Sequence, residues 1–308
     1  MKTVRPADLL PPEPAKKALI SRRSLLLGGA GLVALSGPAV AGYAGVEAAT
    51  MLGVTRYRLN PRGWPAGQKL TITVIADLHA NGPNMGHARI REIVDLANAQ
   101  QSDIVLLLGD YVATHRFVTE QVPFAVWAGE LARLKAPLGV HAILGNHDWW
   151  FHQAEIRAAL AGVKIPVMEN TAILLGDSGA RFWLAGLGDQ LAYPLGRRRF
   201  RGVDDLPGTL AQIKTDDPVI LMAHEPDIFP QVPDRVALTL AGHTHGGQVR
   251  VPFIWPVLVP SQYGARFAYG HISEGGRDMI VSGGLGTSIM PVRLGVPPEI
   301  LRIELGTA

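Results

Sequence analysis

Between residues 69 and 161 the apolar pattern switches repeatedly between two periods, and this limits the chain to few architectures. Residues 69–76 (KLTITVIA), 103–109 (DIVLLLG) and 139–145 (GVHAILG) are short, nearly continuous apolar runs of the kind buried as strands. Residues 85–100, 120–134 and 153–161 place apolar side chains three and four apart, as helices with one buried face do. A βαβαβα order predicts a largely parallel sheet covered by helices. Further along, short strands are expected at 163–168, 171–175, 181–187, 218–222, 236–240 and 247–251, with a helix at 204–213 and Gly/Pro-rich connections. They predict a second sheet packed on the first within one domain.

Polar residues gather where these strands end. The first strand runs into Asp77-Leu78-His79, the second into Asp110, and the third into Asn146-His147-Asp148. The strand at 218–222 leads to His224, and the strand at 236–240 to His243 and His245. Ligands of open α/β sheets bind beyond the carboxyl ends of the strands, so five strand ends deliver metal-capable side chains to one edge. On extended backbone, residues two apart point the same way, so Asp77 and His79 reach one ion. His243 and His245 serve either one ion or two neighbouring ions. Gly242, Gly246 and Gly247 leave room around them. The chain has no cysteine, which excludes disulfides, thiol nucleophiles and thiolate ligands. Oxygen and nitrogen ligands without sulfur suit Mn²⁺, Fe or Zn²⁺.

Asp77-x-His79, Gly109-Asp110, Gly145-Asn146-His147-Asp148, His224 and Gly242-His243-Thr244-His245 resemble, in order, the five signature blocks of calcineurin-like metallophosphoesterases. The resemblance spans about residues 69–305. It implies an α/β fold, a four-layer αββα sandwich of two mixed sheets, and a centre of two divalent metal ions. In that scheme Asp77, His79, Asp110 and His245 hold the first ion. Asp110, Asn146, His224 and His243 hold the second, so Asp110 bridges. The stretches GHTHGGQ and GLGTSIMPVRLGVPPEI are similar to an exported or membrane-associated bacterial subgroup, which makes Mn²⁺ the first choice of metal. The subgroup includes a UDP-2,3-diacylglucosamine pyrophosphatase and cell-wall-associated phosphodiesterases.

The expected chemistry is hydrolysis of a phosphoester, with envelope or lipid-linked substrates favoured. His147 is expected to stabilise transition-state charge or protonate the leaving oxygen, and Asp148 to orient it through its other ring nitrogen. Two alternatives stay open. One is a UDP-2,3-diacylglucosamine-type pyrophosphatase of lipid A synthesis, whose substrate lies on the cytoplasmic side. The other is a non-catalytic metal-binding scaffold, whose relatives typically lose ligands that this chain retains. Arg197, Arg198, Arg199 and Arg201 crowd one loop, which reads as a solvated turn or as a clamp for a phosphate or an anionic lipid surface. Residues 251–260 (VPFIWPVLVP) read as a buried strand-loop or as an apolar rim for an acyl chain.

The first 48 residues read as an address. Arg22 and Arg23 precede a charge-free run, residues 24–46, within which Ala39-Val40-Ala41 offers a candidate cleavage point after Ala41. SRRSLLL resembles a twin-arginine export signal, so the twin-arginine machinery is an expected partner. The catalytic domain at 49–308 then reaches the periplasm or cell envelope, or stays anchored in the inner membrane by residues 24–46. These 48 residues hold six of the 29 Lys/Arg and three of the 26 Asp/Glu, which leaves 23 of each in the body. A neutral body gives no indication of a nucleic-acid partner.

Overall fold

Strands β2 (Leu70–Ile75), β3 (Ile104–Leu107) and β4 (Val140–Ala142) lie side by side and parallel, as their apolar runs predict. In the computed structural model, which describes residues 39–308 apart from 116, 178, 251–258, 289 and 308, they are three strands of a five-stranded sheet. Its other strands are β13 (Glu299–Leu305), antiparallel to β2, and β1 (Gly53–Leu59), parallel to β13. The sheet is therefore largely parallel, as expected, and mixed only because β13 returns antiparallel beside β2.

The second sheet has the order β11-β12-β10-β9-β6-β5. Its centre is parallel: β6 (Phe182–Gly186), β9 (Val219–Met222), β10 (Val236–Ala241) and β12 (Arg277–Val281). Its edges, β5 (Thr171–Leu175) and β11 (Gly270–Glu274), are antiparallel to their neighbours. A two-stranded hairpin joins β7 (Tyr193–Pro194) to β8 (Phe200–Arg201).

Alternation along the strands sorts side chains into layers, since successive residues face opposite sides. Ile72, Val74, Leu106, Ile220, Met222, Leu238 and Ile303 meet between the two sheets. Ile75, Val105 and Leu107 face the other way, against Ile90, Ile93 and Val94 of α2 (His87–Ala99) and Trp127 and Leu131 of α3 (Phe124–Leu131). Ile156 and Leu160 of α5 (Gln153–Gly162) join that layer. Leu221 and Met279 turn outward to Ile228, Phe229 and Phe267. With α6 (Leu206–Leu210) on the outer side, the result is the four-layer αββα sandwich.

Some expected elements differ. Residues 163–168 form only a single bridge, Val167 to Ala142, because Lys164 is left-handed and Pro166 has no N–H to donate. The expected strand at 247–251 is a turn at His245–Gly247 followed by one bridge from Val249 to Leu294. The helix at 120–134 begins only at Phe124, directly after Pro123.

Residues 43–308 form one compact unit, which starts ahead of residue 49. Residues 39–50 are helical (α1), and Glu47 is buried where it accepts the N–H groups of Gly295 and Val296 at 3.1 and 2.9 Å. The arginine pair and residues 24–38 of the apolar run lie outside the described residues, as do residues 251–258 of the apolar stretch. Among the described residues, no helix is long and apolar enough to cross a membrane.

Candidate metal centre

Each sheet contributes strand ends to one buried focus. Asp77 and His79 follow β2, Asp110 follows β3, and Asn146 opens α4 (Asn146–Trp150) after β4. His224 follows β9, and His243 and His245 follow β10. All seven are at most 8% exposed. Their ligand atoms fall into two triads, Asp77–His79–His245 and Asp110–His224–His243, within 4.8 Å inside each. Asp110 Oδ2 lies 3.6 Å from His79 Nε2 and 3.2 Å from His224 Nε2, between the triads. Asn146 Oδ1 approaches His243 Nδ1 to 2.8 Å. His243 and His245 thus belong to different triads.

The backbone that achieves this is not extended. Asp77, His79, Asp110, His243 and His245 all have φ between 45° and 68°, the left-handed region. Such conformations cost side-chain-bearing residues about 1–3 kcal/mol each and cluster at functional sites. Asp77 and His79 therefore reach one triad through left-handed turns and not along an extended strand. Surrounding hydrogen bonds hold the turns in place. Asp77, His79 and Ala80 donate their N–H groups to the carbonyls of Gly109, Asp110 and Tyr111 at 3.1, 2.9 and 2.8 Å. His243 N–H donates to Asp77 Oδ1 at 2.9 Å, which locks β10 to β2.

Glycine is required at two close approaches. A Cβ on Gly145 would stand 2.6 Å from His224 Cε1 and collide with the Asp110 carboxylate. On Gly242 it would stand 2.7 Å from Asp77 Oδ2.

Asp148 does not orient His147. Its carboxylate accepts the backbone N–H groups of Asp110, Tyr111 and Gly145 at 2.8, 2.8 and 2.9 Å, so it ties the β3 loop to the start of α4. A carboxylate three residues into a helix is drawn to nearby N–H donors, and here those donors belong to the neighbouring loop. His147 is positioned instead by hydroxyls: Thr114 Oγ1 lies 2.6 Å from Nδ1 and Ser288 Oγ 3.3 Å from Nε2. Its ring stands edge-on to His79 at 4.9 Å, beside the first triad.

Burial keeps most of these imidazoles neutral, whereas it pushes the Asp77 carboxyl up to about 7. Burial pushes His79 and His243 down to about 3, keeping both neutral at ordinary pH. Burial also lowers His245, with the charges of His79 and Arg293 adding to it. His147 is lowered by burial. Burial works against a charged Asp110, but His224 and His147 outweigh it and hold its carboxyl well below the usual range. His224 is raised, because the Asp110 carboxylate overcomes the burial that works against its charge. His79 and His224 present Nδ1 to the carbonyls of Val112 and Leu108, at 2.9 and 2.7 Å. For neutral His79 that places the ring proton on Nδ1 and leaves the Nε2 lone pair aimed into the centre, whereas His224, held protonated by Asp110, would offer Nε2 only once a cation displaces that proton. Asp77 Oδ2 is buried with no hydrogen-bond partner, and His224 Nε2 is buried with only the Asp110 carboxylate, 3.2 Å away, beside it. Orphaned donor atoms of this kind, converging with neutral imidazoles and a shared carboxylate, fit two divalent cations.

Several residues at the site escaped the sequence reasoning. Asp189 and Glu225 form a further buried cluster with His224. Asp189 had a signal: Gly188-Asp189 follows β6 as Gly109-Asp110 follows β3. Burial, then the charge of Glu225, raises the Asp189 carboxyl well above its usual range. Arg293 is fully buried, donates to the carbonyls of Gly283, Gly286 and Val296, and places Nη2 3.1 Å from His245 Nδ1. Thr114, Ser288 and Arg293 carry no local pattern. Of the arginine loop, Arg197, Arg198, Arg199 and Arg201 are exposed on the β7–β8 hairpin, outside both triads.

Comparison with known proteins places these strand ends in a family. Residues 70–247 match the family model described as calcineurin-like phosphoesterase, more than half of the chain. The chain belongs to that family and is a metal-dependent phosphoric ester hydrolase. A metallophosphoesterase of Bacillus subtilis strain 168, YkuE, is 29% identical over 218 residues, 68% of this chain and 70% of the relative. A metallophosphoesterase of Aquifex aeolicus strain VF5 is 28% identical over 254 residues, 82% of this chain and 92% of the relative. Phosphodiesterase YaeI of Escherichia coli K12 is 29% identical over 238 residues, 76% of this chain and 81% of the relative.

Proposed function

We propose that the protein is a di-metal phosphodiesterase acting on an envelope or lipid-linked phosphoester, with Asp77, His79, Asp110 and His245 as ligands of one ion and Asp110, Asn146, His224 and His243 as ligands of the other. The observation that carries this reading is the pair of buried triads with Asp110 between them. The name of the E. coli relative supports a diester as substrate. When bound, two divalent ions would supply Lewis-acid stabilisation of the phosphoryl oxygens and an acidified water. Mn²⁺ is the ion proposed, with Fe or Zn²⁺ compatible with the same ligands.

The chain's own residues do the rest. His147, beside the first triad, donates a hydrogen bond to the phosphoryl group or a proton to the leaving oxygen through Nε2, as Thr114 fixes its Nδ1. The fixed loops keep the seven ligands in place before substrate arrives, so little reorganisation accompanies the reaction. Asp148 serves indirectly, by holding Asp110 and Gly145 together. The complete ligand set and the retained His147 disfavour a non-catalytic scaffold.

The full chain, purified with Mn²⁺, is expected to hydrolyse bis-p-nitrophenyl phosphate faster than p-nitrophenyl phosphate. A preference for the monoester would overturn the phosphodiester reading, and no turnover of either with two ions bound would favour the scaffold. Export through the twin-arginine route, followed by release or by anchoring through residues 24–46, is part of the same proposal. Arg22→Lys with Arg23→Lys should retain the chain in the cytoplasm on fractionation; unchanged export would remove the twin-arginine assignment.

A further inference from the structure

An aromatic and basic surface begins at the candidate centre and runs outward along the β7–β8 hairpin. The ring of Trp150 lies 5.2 Å from that of His147 and stacks on Phe200 at 5.7 Å, with 16° between their planes. Trp149 meets Tyr193 edge-on at 5.4 Å, and Trp150 Nε1 donates to the Leu191 carbonyl at 2.8 Å, so α4 and the hairpin are joined at two aromatic contacts. Despite these contacts, Trp150, Phe151, Tyr193, Leu195 and Phe200 remain between 36% and 55% exposed. So many large apolar side chains on one rim are more than scattered surface residues. At the hairpin tip, Gly196, Arg197 and Arg198 have φ of 76°, 51° and 55°, and the Arg199 N–H closes the turn on the Gly196 carbonyl at 3.0 Å. This tight turn projects Arg197, Arg198 and Arg199 together, and among the described residues no acidic side chain forms an ion pair with them. Arg201 instead lies over the Tyr193 ring, 4.6 Å from its centroid.

We infer that this rim docks on an anionic lipid bilayer, with Trp150, Tyr193, Leu195 and Phe200 at the headgroup level and Arg197, Arg198 and Arg199 on the lipid phosphates. Trp and Tyr favour that boundary because each has an apolar body and a polar tip. Clustered arginines favour an anionic leaflet over a zwitterionic one. Docking in this way sets His147 close to the lipid surface, which extends the reading of the enzyme as acting on lipid-linked phosphoesters. The docking rests on that reading only for its purpose, because binding is measured without turnover.

Hydrogen–deuterium exchange of the full chain tests it, in buffer, with phosphatidylcholine vesicles, and with vesicles that also contain phosphatidylglycerol. Exchange across residues 193–201 is expected to slow with the anionic vesicles alone. Arg197→Ser, Arg198→Ser and Arg199→Ser together should abolish that protection and weaken binding to anionic vesicles roughly a hundredfold, the combined effect of three charges near such a surface. Binding through residues 24–46 is common to all forms and cancels in the comparison. Replacing the same three residues by lysine should preserve the effect, since a surface needs charge and not a bidentate fork. Unchanged exchange at 193–201 in vesicle-bound chain overturns the docking. So does equal protection by soluble inorganic phosphate without lipid, which would make the tip a phosphate clamp. Wild-type exchange alone decides the matter if the serine variant does not fold.

Discussion

Imidazoles bind metal through a lone pair; burial keeps His79 and His243 neutral, and backbone carbonyls face Nδ1 of His79 and His224. His147 differs from the other four histidines there, because side-chain hydroxyls face both of its nitrogens. His147→Ala is expected to keep both metal ions and lose at least about a hundredfold in diester turnover, the scale of one general acid–base group. Turnover at the wild-type rate would remove His147 from the mechanism. Asp110→Ala should lose metal, measured by elemental analysis, because its carboxylate lies between the triads. Full occupancy in that variant would refute the bridging role. The seven candidate ligands were legible as a group because each is a donor-bearing residue at the end of an apolar run. The partners of His147 were not. Threonine and serine occur throughout loops, and only tertiary packing brings Thr114 and Ser288 to one ring.

The left-handed turns at the strand ends depend on what the elements behind them hold still. α2 and α3 cover the first sheet, and one carboxylate joins them: Glu130 accepts from His87 at 2.7 Å and Arg91 at 3.0 Å on α2, and from Arg133 at 2.5 Å just after α3. Burial pushes Glu130 up, but these donors prevail and bring it down to about 2 from 4.5. A depressed carboxylate stabilises the fold above its unfolded value, so this contribution is present above pH 4.5 and fades as pH falls toward 2. Glu130→Gln should cost about 1–3 kcal/mol at pH 7, from hydrogen bonds to charged groups, and little near pH 2. Denaturant titrations at both pH values check this; an equal loss at both would show a packing effect instead. Strands β2, β3, β4, β9 and β10 were readable as apolar runs, whereas β1, β11, β12 and β13 were not assigned. In β13 the sequence EILRIEL does alternate, yet its pairing with β2 joins distant parts of the chain, and no local pattern records that. This distant pairing is also the one antiparallel step in an otherwise parallel sheet.

Across the molecule, the two sheets stack face to face and bring their strand ends to one centre: β2, β3 and β4 supply part of it, β9 and β10 the remainder, and the Asp77–His243 hydrogen bond joins them. A site divided in this way assembles only when the sandwich closes, so metal loading and folding should be coupled. The folded unit also takes in chain that a motif-based boundary leaves out. Glu47 on α1 binds the N–H groups of Gly295 and Val296, while the neighbouring Arg293 N–H donates to the Ala44 carbonyl at 2.9 Å and its side chain reaches His245. Anyone shortening the gene for expression therefore has a limit to respect. A protein started at residue 49 would leave three backbone donors beside His245 unmatched, and is expected to melt lower and load metal less fully than one started at residue 43. Equal melting temperatures and metal contents for the two would show that the clasp around Glu47 is dispensable.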